Sequence, residues 1–128
     1  MLRMFNWPSS LAGLTLSTIL DHPTYLTGFL KQNRKLLVER YTLCTSILKA
    51  HSISYIPSNA GFFLWADLSS YMAFQEGSSL EQERALHKRL FDGGVHLATS
   101  EAFQGEEYGW FRISFSVDDK VLELGLMR

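Results

Sequence analysis

Cysteine and proline are scarce: Cys44 stands alone, and the only prolines are Pro8, Pro23 and Pro57. A single cysteine excludes an internal disulfide framework and fits a reducing compartment. Neither sign of charge dominates, with 12 basic against 13 acidic side chains and a net charge of -1. No general field draws a polyanion, which argues against nucleic acid as the main partner. The longest uncharged stretch, Met4 to Leu20, is interrupted by Asn6, Pro8, Gly13 and a scatter of serines and threonines. It is too short and too polar to span a bilayer, and it has neither the basic start nor the cleavage site of a signal peptide. A cytoplasmic chain with no membrane attachment is the expectation.

Chemical motifs are equally sparse. There is no Walker-type loop, no Gly-x-Gly-x-x-Gly and no Gly-x-Ser-x-Gly. His22, His51, His87 and His96 are isolated from one another and from Cys44, so no metal site is expected. The carboxylates of Glu101, Glu106 and Glu107 read as hydrated loop groups with no acid or base role. Each of the five lysines falls on a polar helix face or at a helix start, where none is desolvated enough to act as a Schiff-base amine.

What is present is a globular composition, 46% apolar and 13% aromatic over 128 residues. That suffices for one domain, residues 1–128. Pro8 suits the first turn of a short helix ending near Leu20, and Asp21-His22-Pro23 stops it and starts the next, with Asp21 or His22 capping. From Thr24 to about His51, Leu26, Leu30, Leu37, Tyr41, Cys44 and Leu48 recur at steps of three and four, the pattern of an amphipathic helix. Cys44 lies on that stripe and reads as core packing. Ile53 to Ile56 and Phe62 to Leu68 read as two strands around the Pro57-Ser58-Asn59 turn, the second central in its sheet. Residues 69–79 read as a loop. Ser78 and Ser79 with Glu81 and Gln82 offer two capping boxes for a helix closed by Gly93-Gly94. Val95 to Thr99 reads as a strand, Ser100 to Gly109 as an acidic loop, and Asp118 as the cap of a last helix that packs through Val121, Leu122 and Leu126. The order predicts an α/β fold, helices packed on a small sheet.

Between that loop and the last helix runs Trp110-Phe-Arg-Ile-Ser-Phe-Ser116. Alternation puts Phe111, Ile113, Phe115 and Val117 on one strand face, and Trp110, Arg112, Ser114 and Ser116 on the other. A guanidinium beside a tryptophan needs an anion or a hydrogen-bonding partner, and its planar fork suits a carboxylate or phosphate. Arg112 is therefore the candidate binding residue. The competing reading makes it a solvated strand residue loosely paired with Glu106 or Glu107.

Three stretches together resemble the C-terminal segment of fold type I pyridoxal-phosphate enzymes of the class I/II aminotransferase family, most closely 1-aminocyclopropane-1-carboxylate synthase and its aminotransferase-like relatives. They are Asn33-Arg-Lys-Leu-Leu-Val-Glu-Arg-Tyr41, Ser58-Asn-Ala-Gly-Phe-Phe-Leu-Trp-Ala-Asp-Leu68 and Gly109-Trp-Phe-Arg-Ile-Ser-Phe-Ser116. The resemblance implies the small C-terminal domain of that fold, without the large cofactor-binding domain. It also implies that Arg112 holds the α-carboxylate of an amino-acid substrate. The Schiff-base lysine and most contacts to pyridoxal 5'-phosphate would lie on polypeptide outside this chain, so no cofactor is expected to bind here and the chain alone should be inactive. The implied partners are an amino-acid carboxylate and a cofactor-domain polypeptide or a homo-oligomer. A second expectation is a non-catalytic module that docks on a separate or homologous cofactor domain, with Met1 to Trp7 in the docking face. A proline-glycine pair common in the family before the last strand is Thr99-Ser100-Glu101 here.

Overall fold

The computed structural model describes residues 9–72 and 77–127. The chain forms two compact units, residues 1–36 and 37–128.

In the first unit, helix α1 spans Ser10–Leu20 and is capped by Ser9, whose hydroxyl accepts from the Ala12 N–H at 3.5 Å. The expected place of Pro8 in the first turn lies outside the described residues. Thr15 and Thr18 donate their hydroxyls back to the carbonyls of Leu11 and Leu14, which satisfies them within the helix. No residue of α1 is buried, and Leu11, Leu14, Leu16 and Leu20 are all more than half exposed. Helix α2, Pro23–Ala50, begins with Pro23 at its first position, where a missing N–H costs no hydrogen bond. The His22 carbonyl receives the Leu26 N–H at 3.0 Å, the first bond of that helix.

The second unit takes α2 from Leu37 onward. Two-residue β1 (Tyr55–Ile56) and β2 (Phe63–Asp67) follow, then a single turn α3 (Ser69–Met72) and α4 (Ser79–Asp92). After them come β3 (Ala98–Thr99), a 3-10 turn at Glu101–Phe103, β4 (Trp110–Ser114) and α5 (Asp119–Leu126). The four strands lie in the order β1-β2-β4-β3, and every pair is antiparallel. The α/β expectation holds, and β2 is central as read.

Packing explains which face each strand buries. Leu64, Ala66, Ile113 and Phe115 meet Cys44 and Leu48 of α2 and Leu122 of α5, while Phe111 meets Leu68, Met72 and Leu86. Tyr41 sets its ring edge-on to Phe115, 5.5 Å between centroids. Cys44 is part of this core with no exposed surface, and burial pushes its thiol up to about 11. Ser78 and Glu81 form the capping box of α4, and Gly93 and Gly94 close that helix. The Asp118 carboxylate accepts the Lys120 N–H and caps α5.

Several elements differ from the sequence reading. The stretch 69–79 contains α3, started by the Asp67 carboxylate, which accepts the Ser69 N–H at 2.9 Å. Strand β3 is shorter than Val95–Thr99 because the Val95 N–H still donates to the Leu90 carbonyl of α4, so the chain reaches the sheet late. Likewise Ile53 donates to Leu48 of α2, and β1 begins only at Tyr55. Val121 is 59% exposed, and Leu122 and Leu126 carry the packing of α5. His87 and His96 are not isolated: their rings lie 6.0 Å apart, brought together by the turn after α4.

Candidate functional site

Because opposed residues of an antiparallel pair share a face, the register sets one row across all four strands: Ile56, Trp65, Arg112 and Ala98. This row lies on the face opposite Leu64, Ala66, Phe111 and Ile113, away from the packed helices. Arg112 is the one basic residue in the four strands.

Its guanidinium carbon sits over two rings, 4.9 Å from the centroid of Phe63 on β2 and 4.3 Å from that of Phe103 in the 3-10 turn. Phe103 is in turn edge-on to Trp65 at 5.6 Å, so two rings face the charge and a third stands against one of them. Ring faces attract the cation by about 0.5–2 kcal/mol each and restrict the plane of the fork. They accept none of its hydrogen bonds. The Nε of Arg112 is buried without a hydrogen-bond partner, and among the described residues no carboxylate pairs with the side chain. The pairing with Glu106 or Glu107 is not formed. Glu107 instead accepts from the Trp110 indole N–H at 3.3 Å.

An orphaned Nε on a half-buried arginine costs free energy unless something outside the fold meets it. A planar anion does so best, because two parallel N–H groups match two carboxylate oxygens. The aromatic wall beside it lowers the local dielectric and strengthens such a pair.

The 3-10 turn that carries Phe103 belongs to a tightly specified loop. Ser100 donates its hydroxyl to the Glu107 carbonyl at 2.6 Å, and its own carbonyl accepts from Phe103 and Gly105, both at 3.0 Å. A Cβ on Gly105 would fall 2.1 Å from the Ser100 hydroxyl and displace it from the Glu107 carbonyl. Gly109 holds a φ of +96 and its carbonyl accepts the Leu68 N–H at 2.8 Å, which turns the chain into β4. From the helix side, Glu83 reaches this loop: its carboxylate accepts the N–H groups of Glu101 and Gly109. Arg84 adds an exposed ion pair with Glu101, whose carboxyl is held below its ordinary value chiefly by that hydrogen bond.

Arg112 is thus placed where sequence alternation put it. Phe63, Phe103 and Glu83 were not singled out. The first two join Arg112 through strand register and a loop, which no local pattern reveals. Glu83 did leave a signal, since Leu80, Glu83, Leu86 and Leu90 follow helical steps and an acid on an apolar stripe asks for a buried partner. No group of three or more potential metal ligands forms among the described residues. Nor is any helix there long and apolar enough to cross a membrane.

Comparison with known proteins agrees with this architecture. The family model "Aminotransferase class I and II" matches residues 1–128. A probable aminotransferase, gliI, of Aspergillus fumigatus is 31% identical over 122 residues, covering 94% of this chain and 28% of the relative. The 1-aminocyclopropane-1-carboxylate synthase-like protein 1 of Mus musculus is 32% identical over 108 residues, 84% of this chain and 21% of that protein. Among solved structures, a mutant of the Thermus thermophilus aspartate aminotransferase superposes with a TM-score of 0.70 at 18% identity, covering 85% of this chain and 27% of that one. An aminotransferase from Mycobacterium tuberculosis gives 0.66 at 24%, over 82% of this chain and 26% of that one. The chain therefore spans between a fifth and about a quarter of the length of these relatives. By sequence and by fold, it belongs to the class I and II aminotransferases, fold type I enzymes that use pyridoxal phosphate.

Proposed function

We propose that this chain is the portion of an aminotransferase or 1-aminocyclopropane-1-carboxylate synthase-like enzyme that holds the carboxylate of an amino-acid substrate, with Arg112 as the holding residue. One observation carries the reading: a guanidinium on the open sheet face, oriented by Phe63 and Phe103, whose buried Nε has no partner within the described fold. A fork fixed in plane would present the substrate in one orientation, which chemistry at the neighbouring carbon requires.

The residues present do not fit pyridoxal phosphate itself. All five lysines are exposed, Lys88 is engaged with Asp92, and none lies on the sheet with Arg112. An amine for the cofactor has to come from another polypeptide segment, and the chain alone is inactive in this reading. Incubation with pyridoxal phosphate followed by borohydride is expected to trap no stoichiometric adduct. A single modified lysine together with turnover would overturn that expectation.

The arginine is tested directly by following its side-chain Nε–Hε resonance during titration with L-alanine and with L-alanine methyl ester. The free acid should shift it saturably, in the millimolar range typical of a lone charged pair in water, at about 4 kcal/mol or less. The ester should not. Equal responses to both, or none to either, would reject the role.

A second reading is favoured by the first unit. Leu11, Leu14, Leu16, Leu20, Tyr25 and Phe29 are all more than half exposed there, as expected of a non-catalytic module that docks on a separate or homologous cofactor domain. The apolar start at Met1 to Trp7 lies outside the described residues. A monomer by analytical ultracentrifugation that fails to associate with a full-length family member would remove this reading.

A further inference from the structure

Glu83 is fully buried in α4, yet among the described residues no cation pairs with it. Taking an unpaired carboxylate out of water is costly, so its two acceptor bonds have to offset a large penalty. Both go to backbone. One oxygen accepts the Glu101 N–H at 3.0 Å and the other the Gly109 N–H at 2.6 Å. Those two donors mark the first and last residues of the segment 101–109. Within it Phe103 stands over the Arg112 guanidinium at 4.3 Å, and directly after it β4 begins.

The Ser100 bonds described above shape the backbone of the turn, but they hold none of the Phe103 side chain, whose one ring neighbour besides the guanidinium is the edge-on Trp65 among the described residues. The ring is 48% exposed, Gln104 next to it takes a left-handed φ of 55, and the surrounding residues 104–108 are exposed. A loop held at its ends closes a short span, and the conformations left to its interior are few. We propose that Glu83 is a positioning residue for Arg112: by tying both ends of the 101–109 segment to α4, it holds the Phe103 ring over the guanidinium and so fixes the plane in which the fork meets a carboxylate. The last clause rests on the carboxylate-holding reading of Arg112, and the tie to Phe103 does not.

The position of the ring is readable in the nitrogen-15-labelled chain, because a proton over an aromatic face is displaced upfield. In the unsubstituted protein the Arg112 Hε should lie upfield of the other arginine Hε signals. Glu83→Gln leaves one acceptor oxygen for two N–H donors and sets an amide NH2 against the other. The Arg112 signal is then expected to lose most of its upfield displacement, while the β2 and β4 amides keep their positions. Phe103→Leu should reproduce that loss with the Glu101 and Gly109 amides unmoved. An Arg112 signal that stays in place in Glu83→Gln, while the Glu101 and Gly109 amides move, overturns the proposal.

Should Glu83→Gln fail to fold, the unsubstituted protein still decides the matter through hydrogen exchange. The Glu101 and Gly109 amides should exchange at least about tenfold more slowly than that of Glu106, and equal rates would mean no clamp exists. Titration with L-alanine separates the two ideas. An unmoved Arg112 signal in the unsubstituted chain rejects the carboxylate reading and leaves the clamp to be judged on the ring displacement alone. A response that weakens in Glu83→Gln supports both.

Discussion

The two faces of β4 are built from alternate residues of one pentapeptide and obey different physics. Phe111 and Ile113 look toward the helices and are 0% and 4% exposed. Trp110 and Arg112 look the other way and stay half-buried, with Ser114 exposed. The first face is closed by α2, α4 and α5, whose leucines supply it with apolar neighbours. On the second, the ring contacts among the described residues come from its own sheet and from the 101–109 loop. Stability and recognition are therefore separated across the thickness of one strand. A substitution on one face should alter folding, and one on the other should alter what binds.

Phe111 gives the largest contrast. Truncation to alanine removes a side chain with no exposed surface from the cluster of Leu68, Met72 and Leu86. The expected loss is about 3–5 kcal/mol in urea unfolding, from lost transfer free energy and the cavity left behind. A loss no larger than that of Arg112 substitutions would erase the distinction between the faces.

Below the same face, Cys44 offers a probe that needs no substitution. Its thiol is shifted by burial from 9.0 up to about 11. At pH below 9 the thiol is protonated whether folded or unfolded, so it leaves stability unaffected. Between 9 and 11 the unfolded chain releases a proton that the folded chain retains, and stability falls as pH rises. The full difference amounts to about 2–3 kcal/mol by linkage, and Cys44→Ala should remove this part of the alkaline slope. Iodoacetamide at pH 8 should label Cys44 only after unfolding, and rapid labelling of the native protein would place the thiol outside the core.

These contrasts show where the sequence was legible. Helices α2 and α4 and the cap of α5 could be read because their periodicity and caps are local, and the alternation in Trp110 to Ser114 separated the two faces of β4. The boundaries of β1 and β3 could not, since Ile53 and Val95 remain bonded to the helices before them. Local patterns do not report which of two competing acceptors an N–H will choose. The aromatic setting of Arg112 was hidden for a different reason. Phe63 and Phe103 are distant in sequence, and their meeting depends on the β2–β4 register and on a loop whose path is set by Ser100, Gly105 and Glu83. The family resemblance pointed to the residue without supplying its surroundings.

The smallest expected change in stability is the most informative one. Arg112→Leu removes a charge that has aromatic neighbours and, among the described residues, no hydrogen-bonded partner, and it replaces an orphaned Nε with hydrocarbon. The lost attraction to two rings and the relieved desolvation oppose each other, so unfolding free energy should change by less than about 1 kcal/mol in either direction. The response to L-alanine should vanish in the same variant. If Arg112→Leu instead costs as much as Phe111→Ala, the arginine is part of what holds the sheet together, and the open face is a second structural face. If stability is kept and the binding response is kept with it, the carboxylate is held elsewhere. Only retained stability with lost binding assigns the two faces their separate roles.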